Sequence, residues 1–315
     1  MTTREYVTVA EIGFAPYLLN LHRSMVRHVP DFHLTVACAD EEIRQLLTRL
    51  QLDRVSTLDL SSPSEPRLLS AQATRSRGEY CWTLTPILPR LVFEQDATVA
   101  EVTYIDADVY LLRQPTPVHE EFAKSGAACL ITPHAFAPEW DASHTAGYFC
   151  VQYMPFRRQE SEDILAAWAD QCLDHCSATS GPFGLGDQGY VNDWPQKYGR
   201  RVHVTEHPNW FQGPWNAERF PYSEAITYHF HGLRLKSANR VWLGTNPIPR
   251  PTLRHVYEPY LHDLKESVSL VVDSGFGLSF SGHPMSTGQR LASTASRIVS
   301  MGWQMMPARS RVLPR

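Results

Sequence analysis

Three short β-prone runs in the first sixty residues, Tyr6 to Ala10, His33 to Ala37 and Val55 to Leu60, are separated by segments with helical periodicity. This alternation constrains the fold more than any other feature of the chain. Ala15 to Val26 is apolar-periodic, and Asp40 stands as a helix N-cap before Glu41 and Glu42. Ile43, Leu46, Leu47 and Leu50 then recur at the i, i+3, i+4, i+7 spacing of a helix with one buried face. A strand joined through a helix to the next strand enters the sheet in the same direction, so the expected product is parallel. The chain therefore reads as α/β, with a mostly parallel, Rossmann-like sheet carrying helices on both faces.

Further strands are expected over Val99 to Leu112, Ala127 to Thr132, Tyr148 to Met154, Val202 to Thr205 and Ala225 to Phe230. Helices are expected over Leu84 to Phe93, around Ile164 to Cys172, and from Tyr260 to Val271. Gly244 to Pro251 holds three prolines and reads as extended and irregular.

With 315 residues, 43% of them hydrophobic, the chain is long enough to bury a large core. A formal net charge of -4 gives no basic field for nucleic acid. Cys38, Cys129 and Cys150 lie in apolar runs and read as small buried hydrophobes. Cys172 and Cys176 flank His175, but no second Cys/His pair completes a zinc-finger spacing. No apolar run approaches the roughly 18 residues that cross a bilayer, and Met1 to Ala10 has no signal-peptide core. The expectation is a reduced, cytoplasmic protein.

The segment Val102-Thr103-Tyr104-Ile105-Asp106-Ala107-Asp108-Val109 carries the chemistry. A β-prone run delivers two carboxylates separated by one small residue. Alternation along a continuous strand would set Asp106 and Asp108 on one face, where both reach a single ion. Hard carboxylate oxygens suit Mg²⁺ or Mn²⁺, with diphosphate oxygens in the remaining positions. A rival meaning is a phosphatase or phosphotransferase with Asp106 as nucleophile. That motif belongs near the N-terminus with Thr or Val two residues after the second Asp, where this chain has Tyr110.

Three motifs in order carry a resemblance: Tyr104 to Asp108, then Gly186-Asp187-Gln188-Gly189-Tyr190-Val191-Asn192, then His229-Phe230-His231-Gly232. In these the chain resembles GT-A-type nucleotide-sugar glycosyltransferases, in particular the glycogenin-like and bacterial lipopolysaccharide sugar transferases, over about residues 5 to 240. The resemblance implies the GT-A fold and transfer of a sugar from a nucleoside diphosphate, probed first as a UDP-sugar, to a hydroxyl of a glycan or lipid-linked acceptor. It implies Asp106, Asp108 and His229 as ligands of Mn²⁺ or Mg²⁺. Asp187 and Gln188 match the pair beside the reacting sugars, although Asp187 also suits a helix N-cap.

Ala10, Glu11 and Ile12, at the carboxyl end of the first strand, fall near the nucleotide, with Arg77 as a further contact. The relatives' diphosphate-binding Lys is replaced by Leu235, so Arg234 or Lys236 takes that role, with Lys236 carried as the cofactor contact. Cys150 stands where relatives have a sugar-binding Asn, leaving Gln152 as a substitute. Trp215 is an acceptor-site candidate or a core residue. These departures keep a non-catalytic nucleotide-sugar binding protein open as an alternative.

The expected boundaries are a catalytic domain over 1–275 and a basic tail over 276–315. From Ser286 onward the chain has five arginines and no acid, interspersed with Leu291, Ile298, Trp303 and several methionines. That composition suits either a poorly ordered segment or a peripheral contact with an anionic membrane through residues 286–315.

Overall fold

The computed structural model describes residues 3–61, 63, 65–179 and 185–278, together with the backbone of 310–312. Strand β1 (Arg4–Ala10) pairs in parallel with β2 (Phe32–Cys38), and β2 with β3 (Val55–Asp59). On its other edge β1 pairs in parallel with β4 (Glu101–Ile105). Strand order therefore reverses at β1 and β4, and their carboxyl ends open a crevice of the kind that binds ligands in open α/β sheets.

The chain continues through β5 (Val109–Leu111), β6 (Cys129–Pro133), β7 (Phe149–Cys150), β8 (Tyr153–Arg157) and β9 (Val202–Val204). The large sheet runs β3-β2-β1-β4-β8-β6-β7, with β9 parallel to β6. Strand β8 is antiparallel to β4 and β6. Beyond it lie β10 (Phe211–Gln212), β11 (Thr227–His229), β12 (Arg234–Ser237) and β13 (Arg240–Trp242). Strands β10, β11 and β5 form a separate small sheet.

Alternation along β1 divides the core. Val7 and Val9 face a cluster covered by the helices Arg77–Leu84, Ile87–Gln95 and Arg158–Asp174. Tyr6 and Ala10 face the other side, under Ala15–His28 and Glu41–Leu50. The helix Glu258–Asp273 packs beside Ala15–His28, where Arg27 meets Asp263 and Tyr110. Asp40 caps its helix as expected, accepting the Ile43 N–H at 2.9 Å.

The expected run from Val99 to Leu112 is two strands in two sheets, β4 and β5, broken by a turn at Asp106–Asp108. Tyr148 to Met154 is likewise divided between β7 and β8. The helix expected over Leu84 to Phe93 starts at Ile87, because Pro86 ends one helix and opens the next. The helices Pro66–Thr74 and Arg77–Leu84 were not anticipated, and neither were β10, β12 and β13.

Most of the basic tail, and with it the membrane contact expected of residues 286–315, lies outside the described residues. Ser310–Val312 runs as β14 antiparallel to β13. Among the described residues no helix is long and apolar enough to cross a membrane.

Candidate active site

The turn after β4 is fixed by its own main chain. Asp106 N–H donates to Gln152 O at 3.1 Å, and Val109 N–H donates back to Asp106 O at 3.1 Å. From the other side, His229 in β11 registers opposite Val109 in β5, and Phe230 N–H donates to Asp108 O at 2.9 Å. Three polar side chains thus converge from two sheets. One ligand atom from each of Asp106, Asp108 and His229 falls within 4.8 Å of the others, the one such group among the described residues. His229 Nε2 lies 3.0 Å from Asp108 Oδ1 and 3.7 Å from Asp106 Oδ2. The turn, rather than alternation along one strand, brings the two acids together.

The imidazole is held on its other side. Cys150 Sγ lies 3.9 Å from His229 Nδ1, and the Trp215 ring meets His229 edge-on at 5.5 Å. Trp215 is buried, and its indole N–H donates to His134 O at 2.8 Å. It braces a ligand instead of presenting an open face. His231, largely exposed, stays outside the triad.

Burial pushes the Asp106 carboxyl up against the opposing pull of His229. Burial also opposes charge on Asp108, but the adjacent imidazolium holds that carboxyl at about 2. Burial disfavours the imidazolium, and the Asp108 carboxylate overrides it, raising His229 well above the usual histidine range. Positive charge between these two acids is therefore strongly favoured. Two carboxylate oxygens and one imidazole nitrogen at this separation form a donor set that fits Mn²⁺ or Mg²⁺.

A polar relay leads away from the triad. Tyr104 OH donates to Asp106 Oδ1 at 2.8 Å, and Thr85 Oγ1 donates to Tyr104 OH at 3.4 Å. Thr85 is also in hydrogen-bond contact with the Asp187 carboxyl. Asp187 is buried, its Oδ2 has no hydrogen-bond partner among the described residues, and burial raises its pKa to about 7. It makes no side-chain cap to the following 3₁₀ turn, Gln188–Asp193. Gln188 is committed elsewhere, its amide donating to Ala146 O at 2.7 Å. The Gln152 side chain is buried, and neither amide atom is paired among the described residues.

At the carboxyl end of β1, Ala10 and Ile12 are buried and offer main chain only to a ligand. Glu11 accepts the Gly13 N–H at 2.9 Å and pairs with Arg77 at 3.0 Å, while Asp40 lies 3.7 Å from the same guanidinium. Arg77 is 70% exposed beside a pocket of about 350 Å³ that also includes Asp40, Gln72 and Tyr80. Lys236 sits over the Trp242 ring at 5.5 Å. Of Arg234 and Lys236, the cation whose charge reaches Asp108 is Arg234, after the larger effects of His229 and His231.

Reading motifs alone missed Tyr104, Thr85 and Cys150 as supports of the triad. Tyr104 was open to discovery, since it shares strand alternation with Asp106. Cys150 was marked only as standing in the place of a sugar-binding Asn, and Thr85 had no sequence signal, because tertiary packing brings both in.

No protein-family model matches the chain. It is 25% identical over 280 residues to the uncharacterized protein YfnF of Bacillus subtilis (strain 168), covering 83% of this chain and 92% of that one. YfnD of the same organism is 26% identical over 284 residues, covering 84% and 90%. Among solved structures, the galactosyltransferase LgtC superposes with a TM-score of 0.50 at 14% identity, covering 90% of this chain and 99% of LgtC. The glycosyltransferase GlyE of Streptococcus pneumoniae gives 0.51 at 13%, covering 89% and 67%. Sheet order and these superpositions together give the chain the GT-A fold of nucleotide-sugar glycosyltransferases.

Proposed function

We propose that this protein is a divalent-metal-dependent glycosyltransferase. It moves a sugar from a nucleoside diphosphate donor, taken to be a UDP-sugar, to a hydroxyl of a glycan or lipid-linked acceptor. The observation that carries this reading is the convergence of Asp106, Asp108 and His229 within 4.8 Å at the sheet's switch point. The fold supports it, and LgtC, which shares the fold, was solved with donor and acceptor sugar analogues.

Asp106, Asp108 and His229 would hold Mn²⁺ or Mg²⁺, which neutralises charge on the departing diphosphate. Tyr104 fixes one Asp106 oxygen, leaving the other to face the ion. Arg234 adds positive charge on the same side, and a guanidinium can meet diphosphate oxygens as a fork. Glu11 and Arg77, with the main chain of Ala10 and Ile12, border the nucleotide. Asp187, with its unpaired oxygen, orients a donor-sugar hydroxyl, and Gln188 holds the adjoining 143–146 turn in place.

The test is UDP release from a panel of UDP-hexoses with Mn²⁺, compared with Asp108→Ala. The expected loss is about a hundredfold or more, equivalent to roughly 3 kcal/mol of transition-state stabilisation. Release of inorganic phosphate from simple esters, abolished by Asp106→Asn, would instead support the phosphatase reading.

A further inference from the structure

A cleft of about 920 Å³ opens between the turn at Ala135 to Pro138, the segment Tyr148–Phe149, and Asn192 with Asp193, and Phe149 adjoins Cys150, which touches His229. Its volume lies at the upper end of the roughly 300–1,000 Å³ range of small-molecule sites, room for more than one sugar ring. Two features show that its walls are held in place. Ala135 adopts a left-handed backbone, φ +47°, which residues with a side chain rarely take. Gly147, at φ +90°, lets Tyr148 N–H reach Asn192 Oδ1 at 2.8 Å, where a Cβ would stand 2.9 Å from the Asn192 side chain.

These two turns lie side by side, with His134 N–H donating to Tyr148 O at 2.8 Å, and each bears an aromatic ring that lines the cleft. Phe136 stacks on His134 at 4.8 Å, His134 meets Trp215 at 5.3 Å, and Trp215 meets His229 at 5.5 Å. An unbroken row of rings thus joins the cleft wall to the metal triad. Next to this row, Tyr148 is 64% exposed on a pinned backbone.

The polar rim decides what fits. Asp141 and Asp193 offer carboxylates, against a single lining cation, Arg219, which already donates to Phe136 O at 3.2 Å. That balance repels phosphate and carboxylate ligands, so the cleft is not an extension of the diphosphate site. Ring faces suit the C–H surfaces of sugars, and acceptor-rich rims suit their hydroxyls.

We infer that this cleft is the subsite for the non-reacting sugars of a neutral oligosaccharide acceptor, with Phe136 and Tyr148 as its stacking faces. The inference rests on the transferase reading and names its substrate class. It is tested by saturation-transfer NMR titration of the full chain with neutral oligosaccharides and with sialylated or phosphorylated counterparts. Tyr148→Ala and Phe136→Ala are titrated in parallel, and nucleotide binding is followed by thermal shift with UDP and Mn²⁺.

Neutral oligosaccharides should bind, each substitution should weaken them about tenfold, and the UDP shift should stay unchanged. Binding that survives both substitutions overturns the inference. So does a preference for the anionic saccharides, or failure of every neutral one, and if UDP still binds, the transferase reading survives that loss. Conversely, saccharide binding that depends on Tyr148, without any UDP shift in the wild type, keeps the cleft and removes the transferase.

Discussion

His229 Nε2 stands 3.0 Å from Asp108 Oδ1 and 3.7 Å from Asp106 Oδ2, so one imidazole is shared by two acids on the turn that leads from the large sheet into its own. The Asp108 carboxylate raises His229 well above its usual range, and the imidazolium holds Asp108 at about 2. A cation bound by the triad must displace the proton on His229. Mn²⁺ binding should therefore release close to one proton at neutral pH, and its affinity should rise with pH while His229 remains protonated in the free protein. Calorimetric titration in two buffers of different ionisation enthalpy measures the proton count. A buffer-independent enthalpy would remove His229 from the ligand set.

Tyr104→Phe deletes the 2.8 Å hydrogen bond to Asp106 Oδ1 without changing the shape of the core. Bonds to charged groups contribute about 1.5–3 kcal/mol. Mn²⁺ affinity should fall by roughly tenfold, while far-ultraviolet circular dichroism stays that of the wild type. Unchanged affinity would mean that Tyr104 only packs.

Asp187 titrates at about 7 in the folded protein, raised from the model-compound value of 3.8 by burial. Both states bind the proton below about pH 4. Between about 4 and 7 the unfolded chain has lost it and the folded chain keeps it, so stability falls as pH rises through that window. Above pH 7 the full cost is present. Asp187→Asn should flatten this slope in thermal melts from pH 4 to 8. A mutant profile parallel to the wild type would place the titration elsewhere.

Phe230 is fully buried, with its ring packed against Tyr260, Tyr257 and Tyr228, and its N–H holds Asp108 O. Phe230→Ala should cost about 3–5 kcal/mol and lower Tm by roughly 6–10 °C. Alanine keeps the N–H that holds Asp108 O, but the cavity opens directly beside it, so its relaxation should weaken Mn²⁺ binding as well. A large loss of Tm with full metal affinity would separate the core from the site.

The parallel half of the sheet was legible because strands 5 to 7 residues long alternate with a periodic helix and a capped one. Asp106, Asp108 and His229 were legible as a set only through the order of three motifs. Their geometry was not: Val102 to Leu112 is β-prone on both sides of Asp106–Asp108, so the two acids read as a pair on one strand and not as the break between two sheets. Short strands such as Phe211–Gln212 and Arg240–Trp242 are two and three residues long, too short for a period to register. Asp187 looked equally like a cap, and only its burial and unpaired oxygen separate the two roles.

The most direct measurement is a thermal-shift titration with UDP, GDP, ADP and CMP, each with and without Mn²⁺. A ligand of the native state at 100 times its Kd adds ~2.7 kcal/mol, which moves the melting point visibly. The account predicts a shift from UDP that requires Mn²⁺ and disappears in Asp108→Ala. A shift that ignores Mn²⁺, or none with any nucleotide, would contradict it.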